Sequence, residues 1–418
     1  MGTPAVRAAA LDPLLLAPDL WKLDRAAFAA QTSAMGFQWV STARDSARSV
    51  APGLTFGSQQ VVEIVVRFGS NSVTEATISF YNRGDAGDIT EQEFEPRVAS
   101  VCKELDTVTG GKGRELTTRQ PVRADRKVKW WRWEKAPSVY VLEWAYSRPK
   151  GLNEIRPEFL NLSLTPSGVQ SQRTFTGAQK VAVGDFDLKK RVKRTAEGDV
   201  YLDNVPMVDQ GEKGYCAVAA TERVMRYYGV DVNQHELAQK ASTASGGGTD
   251  PASLIKALKS MTMVLGVRIK TMQDFEVKDF LTTVRDYNRE ARRRSRAELT
   301  LPTSGVIDIG EVFGQMDKTT YVTMRARNNM QVDRIVKLLK EKINAGYPVL
   351  WGVMLGLVDE KPELPQANGG HMRLIIGYNP KTSEILYSDS WGAGHELKRM
   401  NQGKAYAITM TLNTIEPR

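Results

Sequence analysis

Cys216 is one of two cysteines in this chain of 418 residues, and its surroundings are those of a reactive thiol. A polar, glycine-containing loop at 209–214 precedes it, and an apolar, alanine-rich run at 217–225 follows. The pattern predicts that Cys216 lies in the first turn of a helix, where backbone N–H groups and the helix dipole stabilise a thiolate. Gln210 can present a side-chain N–H to the same place. These residue types predict a nucleophile with an oxyanion hole.

A general base and its carboxylate partner have few candidates, because the chain holds three histidines. His371 follows two glycines and opens an apolar run at 372–378, which predicts a strand. A turn then leads to a second apolar run, 385–388, which ends at Asp389. If the two strands are neighbours, Asp389 lies near His371, where a carboxylate fixes the imidazole tautomer and stabilises the imidazolium.

The other two histidines carry no predicted role. We expect His235 in the exposed first turn of a helix and His395 in a solvated loop. Three scattered histidines and two distant cysteines form no ligand cluster, so we predict no metal and no cofactor. No glycine loop of the phosphate-binding type precedes a Lys-Ser or Lys-Thr pair, which argues against nucleotide hydrolysis.

The order Gln, Cys, His, Asp, in these local contexts, resembles the papain-like cysteine peptidases. The Gln-x5-Cys spacing, the strand after His371 that ends in Gly-Tyr, and the Ser-Trp-Gly at 390–392 carry the resemblance. It covers about residues 200–418. Asp389 stands where the family usually has asparagine. Aspartate and the glycine-rich run 246–251 resemble the bacteriocin-leader-processing branch of this clan.

The resemblance implies a role for each residue. Cys216 is the nucleophile, and His371 forms a thiolate–imidazolium pair with it and protonates the leaving amine. Gln210 and the Cys216 backbone N–H stabilise the oxyanion. Asp389 orients His371, and Trp391 shields their hydrogen bond from water.

The sequence therefore predicts a thiol hydrolase that cleaves a peptide or isopeptide bond in a peptide or protein substrate. Tyr215, Gly370 and Trp391 are the candidate substrate-binding residues. A transglutaminase-like acyl transferase, which uses the same Cys, His, Asp order, is a second hypothesis. A catalytically inactive, peptidase-like binding module is a third, although all four catalytic residue types are present.

The predicted fold class is α+β in two domains. Residues 19–165 are expected to form a smaller domain of unknown role with an antiparallel sheet. A basic linker is predicted at 166–199, followed by a papain-like domain at 200–418, with a helical part and an antiparallel sheet. In the first domain we expect a helix at 21–37 and a second helix at 91–106.

The net charge of +9 and the isoelectric point of about 9.3 predict attraction to acidic surfaces or polymers. Basic runs at 189–194 and 289–296 concentrate this charge. No aromatic residues interleave with the second run, so no specific nucleic-acid binding is predicted. No apolar run is long enough to span a membrane, and no signal peptide is recognisable. We expect an exported protein whose signal peptide is absent from this chain, or otherwise a cytoplasmic one.

Overall fold

The computed structural model describes residues 9–116, 126–148, 155–168, 184–211, 214–230, 266–302 and 307–418, together with positions 232, 237 and 259. The chain divides into two compact units. The first comprises Met1–Gln179, Glu212–Tyr215 and His235–Gly248, and the second comprises Lys180–Gly211, Cys216–Gln234 and Thr249–Arg418.

The first unit is built on an antiparallel sheet of eight strands. Its elements are α1 Asp12–Leu15, α2 Arg25–Gln31, β1 Gln38–Trp39, β2 Ser46–Ser49, β3 Thr55–Phe56, β4 Gln59–Gln60, β5 Glu63–Phe68, β6 Val73–Asn82, α3 Arg83–Ala86, α4 Glu91–Thr109, β7 Arg114–Glu115, β8 Arg126–Lys135, β9 Ser138–Ser147 and β10 Arg156–Pro166. The strand order is β1-β2-β5-β6-β10-β9-β8-β7, and β3 and β4 form a separate hairpin.

Helix α4 shows how local sequence sets the ends of an element. Thr90 and Glu93 form a capping box at its N-terminus, and Gly110 adopts the left-handed conformation that ends it. Its apolar face is buried in the core of the unit, through Phe94, Val98, Val101 and Leu105. The predicted helix at 91–106 is confirmed, and it is one turn longer than expected.

The predicted helix at 21–37 is wrong in its length. The α-helix covers only Arg25–Gln31, because the side chain of Asp24 accepts a hydrogen bond from the Ala27 backbone and so caps the helix there. Five residues after the helix ends, Gly36 has a φ of 68°. The apolar spacing of this segment favoured a longer helix, and the cap and the left-handed glycine override it.

The second unit contains the segment that resembles peptidases. Its elements are α5 Asp185–Lys190, β11 Val192–Arg194, β12 Val200–Leu202, α6 Cys216–Tyr227, β13 Val267–Gln273, α7 Val277–Arg293, α8 Ile309–Gly314, α9 Lys318–Ala326, α10 Asn329–Asn344, β14 Val349–Leu355, β15 Gly369–Asn379, β16 Glu384–Ser388, β17 Lys398–Asn401, α11 Gln402–Ile408 and β18 Thr409–Pro417. The strands form one sheet in the order β11-β12-β15-β14-β18-β13, and β16 pairs with β15 and β17.

Both sheets are antiparallel and both units contain helices, so the predicted α+β class is confirmed. No helix among the described residues is long and apolar enough to cross a membrane.

Part of the predicted linker is structured. Residues 169–183 lie outside the described part of the chain, but α5 and β11 follow, and β11 pairs with β12 at the edge of the second sheet. Basic composition suggested a solvated segment here. Leu188 is fully buried within it, and its backbone lies so close to Gly346 that a larger residue there would collide with it. One buried leucine thus anchors a segment whose other side chains are mostly charged.

Strand register in the second unit places the predicted catalytic residues. His371 pairs with Val353 on β14, and Leu374 on β15 pairs with Ser388, the last residue of β16. Asp389 follows directly and therefore lies level with Arg373. Because His371 and Arg373 are two residues apart on one strand, both side chains are on the same face of the sheet, where Asp389 can meet them.

The capping box predicts a measurable contribution to stability. We expect Thr90→Ala to lower the free energy of unfolding of the first unit by about 1 kcal/mol, because the first turn of α4 loses its cap. Thr107→Ala, on the exposed side of the same helix, is the matched control and should change it by less than about 0.5 kcal/mol. Urea unfolding followed by circular dichroism measures both, and equal effects would contradict the prediction.

Candidate active site

Cys216 is the first residue of α6, as the sequence predicted. Apart from Cys216 and Arg226, the residues of this helix are buried, and α6 packs against β15. The thiol therefore lies at the positive end of a buried helix beside the strand that carries His371. Neither Cys216 nor Cys102 forms a disulfide, and Cys216 is half-buried.

His371 and Asp389 contact each other in the interior. The Nε2 atom of His371 lies 3.2 Å from Oδ1 of Asp389, and both side chains are fully buried. Among the described residues, Nδ1 of His371 has no hydrogen-bond partner. It is the ring nitrogen that remains available for the Cys216 thiol.

The charges of Cys216 and His371 stabilise one another. Burial raises the pKa of the Cys216 thiol, but the neighbouring His371, helped by backbone groups of Met372 and Ala217, outweighs burial and lowers the pKa. Burial likewise lowers the pKa of His371, but Asp389 and Cys216 outweigh it and raise the pKa. Both shifts favour a thiolate–imidazolium pair.

Asp389 is held as an anion by more than His371. Burial raises the pKa of its carboxyl group, but Arg373, His371 and Lys398 together hold that pKa well below its ordinary range. Sequence reasoning missed both cations. Arg373 carried a usable signal, because a charged residue in an otherwise apolar strand needs a buried partner. Lys398 comes from another strand and gave no local signal.

Trp391 lies flat on the His371 ring. The ring centroids are 4.2 Å apart and the planes are inclined by 5°. Trp391 also contacts His395, whose ring meets it edge to face at 5.7 Å. The expectation that His395 is solvated is wrong, since the residue is 8% exposed. The stacked indole covers one face of the imidazole.

Gln210 is tied to the segment that carries Asp389. Its backbone N–H donates to the Ser390 carbonyl at 2.8 Å, and the residue is 4% exposed. The left-handed φ of 68° at Gly211 turns the chain directly afterwards. The loop that carries the predicted oxyanion donor is thus fixed to the end of β16 by a backbone hydrogen bond.

Arg223 links three segments of the site, and sequence reasoning missed it. The side chain is buried, and its Nε donates to the Pro206 carbonyl at 2.8 Å. Its guanidinium also donates to the Asp389 carbonyl at 2.9 Å and to the hydroxyl of Ser388. Burial lowers the pKa of Arg223 to about 10. Helix α6, the Gln210 loop and the end of β16 meet at this one guanidinium.

The three predicted substrate-binding residues differ in exposure. Gly370 is exposed directly before His371, and Trp391 is half-buried. Tyr215 is 5% exposed and belongs to the first compact unit, and burial raises the pKa of its hydroxyl. Binding roles for all three stay predictions.

Two features of the sequence fall outside the described residues: His235 and the glycine-rich run 246–251. Within the described ranges, no group of three or more His, Cys, Asp or Glu side chains is arranged to hold a metal ion.

Replacing Arg223 tests the link between the three segments. We expect Arg223→Met to lower the free energy of unfolding of the second unit by about 3 kcal/mol, because buried carbonyl and hydroxyl groups lose their donor. The exposed Arg285→Met is the matched control and should change it by less than about 0.5 kcal/mol. Urea unfolding measures both, and a neutral Arg223→Met would contradict this role.

No curated protein sequence matches significantly. Among solved structures, xylellain, a cysteine protease from Xylella fastidiosa, aligns with 12% identity and a TM-score of 0.28 over 58% of this chain and 96% of that one. An overlap this weak carries no further conclusion.

A family model gives the more informative match. Residues 202–298 and 304–411 match the Peptidase_C39 like family. Gln210, Cys216, His371 and Asp389 all lie within the matched residues. This part of the chain is therefore similar to the Peptidase_C39 like family, which supports a cysteine peptidase of the papain-like superfamily.

Proposed function

We propose that the protein is a thiol hydrolase that cleaves a peptide or isopeptide bond, with Cys216 as its nucleophile. The observation that carries the proposal is the placement of three residues. Cys216 begins α6, α6 packs against β15, and His371 on β15 contacts the buried Asp389 at 3.2 Å. The family match supports the same reaction class.

In the proposed acylation step, the Cys216 thiolate attacks the carbonyl carbon of the scissile bond. A C–S bond forms, and the carbonyl electron pair moves onto oxygen. When the C–N bond breaks, His371 gives its proton to the departing nitrogen, so that the amine leaves neutral. Asp389 keeps the imidazole oriented and stabilises it while it is charged.

Deacylation reverses the proton transfer. Neutral His371 takes a proton from water, the hydroxide oxygen attacks the thioester carbon, and the C–S bond breaks. A carboxylic acid leaves, and the Cys216 thiolate and the His371 imidazolium are restored. The burial of His371 under Trp391 keeps bulk water from the bond between His371 and Asp389.

Gln210 is proposed as an oxyanion donor together with the backbone N–H of Cys216. The hydrogen bond from the Gln210 backbone N–H to Ser390 supports this, because an oxyanion donor must be in position before negative charge develops on the carbonyl oxygen. We also propose that Gly370, exposed beside His371, leaves room for the substrate backbone.

A relationship to the bacteriocin-leader-processing branch is also proposed, on the ground that Asp389 replaces asparagine. Cleavage after a double glycine does not follow, and we assign no sequence specificity. Acyl transfer to an amine and a purely binding role gain no specific support from the site.

The partner we propose is a peptide or protein. The basic run 289–296 is largely paired, since Arg289 contacts Asp286, Arg292 contacts Glu298, and Arg293 and Arg294 contact Glu290. This pairing weakens the case for an acidic polymer.

Hydrolysis of denatured casein, followed by the release of new amino termini, tests the proposal. We expect Cys216→Ala to abolish hydrolysis and Cys102→Ala, the matched control, to retain it. Gln210→Ala should lower kcat about 100-fold, because one oxyanion donor is lost. Hydrolysis that persists in Cys216→Ala would overturn the proposal, and amine incorporation without hydrolysis would favour acyl transfer.

A further inference from the structure

Four charged side chains form a buried cluster behind the His371 ring: Glu360, Arg373, Asp389 and Lys398, here called the charge cluster. Their side chains are between 0% and 4% exposed. Two carboxylates and two cations balance, so the cluster is neutral. Neutrality matters because an unpaired charge in the interior is strongly destabilising.

The contacts alternate in sign around the cluster. Arg373 Nε lies 2.9 Å from Asp389 Oδ1, and Lys398 Nζ lies 3.2 Å from Asp389 Oδ2. Both cations also contact Glu360. Both terminal nitrogens of Arg373 donate to the Glu360 carboxylate at 3.0 Å, and Lys398 Nζ lies 3.2 Å from Glu360 Oε2. The hydroxyl of Tyr387 donates to the same carboxylate.

One Asp389 carboxylate therefore contacts three groups that can carry a positive charge. Its Oδ1 faces both Arg373 and Nε2 of His371, and its Oδ2 faces Lys398. Two permanent cations beside one carboxylate would repel a third positive charge on the imidazole. Glu360 supplies the second negative charge that compensates them.

We propose that Glu360, Arg373 and Lys398 are positioning residues that set the proton affinity of His371 through Asp389. The negative charge of Glu360 compensates the two cations, so that Asp389 can still stabilise the imidazolium. Arg373 and Lys398 keep Asp389 ionised and fix both of its oxygens. The inference rests on the proposed function for its catalytic meaning, but the proton affinity of His371 can be measured without any substrate.

Other charged groups also face Asp389 from neighbouring elements. His395 Nδ1 lies 4.0 Å from its Oδ2, and Arg223 donates to its backbone carbonyl. Glu396, in the loop after Trp391, and Asp209, in the Gln210 loop, act electrostatically on His395. These groups are left unchanged in the variants below, so a shift at His371 reports the charge cluster.

The test compares variants of opposite charge. In a Cys216→Ala background, which removes the coupled thiol, the pKa of His371 is measured from its imidazole signals by NMR against pH. The signals are assigned with His371→Gln. Glu360→Gln leaves an excess positive charge and should lower the pKa of His371 by about 1, whereas Lys398→Met leaves an excess negative charge and should raise it by about 1.

Two further variants are matched controls. Lys398→Arg keeps the charge and should leave the pKa of His371 within about 0.3 of its starting value. The double variant Glu360→Gln/Lys398→Met restores neutrality and should bring the pKa back. Near-ultraviolet circular dichroism reports whether each variant is folded. Glu360→Gln nearly preserves shape, so the direction of its shift decides the question even if Lys398→Met does not fold.

Opposite shifts support the proposal. Shifts in the same direction in both single variants, or no shift in folded Glu360→Gln, overturn it. A merely structural role predicts a loss of stability, but it does not predict that the direction of the His371 pKa shift follows the sign of the removed charge. This outcome is independent of hydrolysis. Opposite shifts, combined with a wild-type protein that does not cleave casein, would overturn the proposed function alone. Cleavage by the wild type without the shifts would overturn the role of the charge cluster alone.

Discussion

The burial of the Asp389 carboxylate is the constraint around which this site is arranged. A carboxylate with no exposed surface must be met by positive charge and hydrogen-bond donors, or it takes up a proton. Here the partners are His371 and Arg373 on β15 and Lys398 on β17, and Arg223 on α6 donates a hydrogen bond to the backbone carbonyl of Asp389. Helix and strands are thereby joined at one point.

This arrangement connects stability with chemistry. Because the pKa of Asp389 lies well below its ordinary value, its stabilising interactions are complete near neutral pH and are lost only as pH falls through that lowered pKa. The raised pKa of His371 has the opposite effect on the pH dependence of stability, since the favourable interactions of His371 are lost as pH rises through that pKa. At pH values between these two pKa values, Asp389 is ionised and His371 is protonated. The proposed reaction needs this imidazolium.

The sequence revealed those features that depend on residues close together in the chain. The start of α6 at Cys216, the turn between β15 and β16, and the position of helix α4 all follow from local patterns. The structure bears these out. The adjacency of β15 and β16 then places Asp389 beside His371. The catalytic roles of these residues stay proposals.

What the sequence did not reveal depends on contacts between distant segments. Glu360 and Lys398 come from a loop and an edge strand, and nothing in their local surroundings indicates that they are buried together. Arg223 resembled an ordinary polar residue of a helix until its three-way link was visible. Leu188 lies in the segment whose basic composition predicted a linker, and that composition gave no sign that it is buried.

The central claim is that Cys216 is held as a thiolate by His371. Its most direct test is the rate of alkylation by iodoacetamide against pH, read by peptide mass spectrometry in the wild type and in His371→Ala. Cys102 is an internal control, since burial raises the pKa of its thiol to about 11. We predict rapid labelling of Cys216 that persists below about pH 7 and is lost in His371→Ala. Labelling that rises only near pH ~8.5 in both proteins, as for an ordinary thiol, would contradict the account.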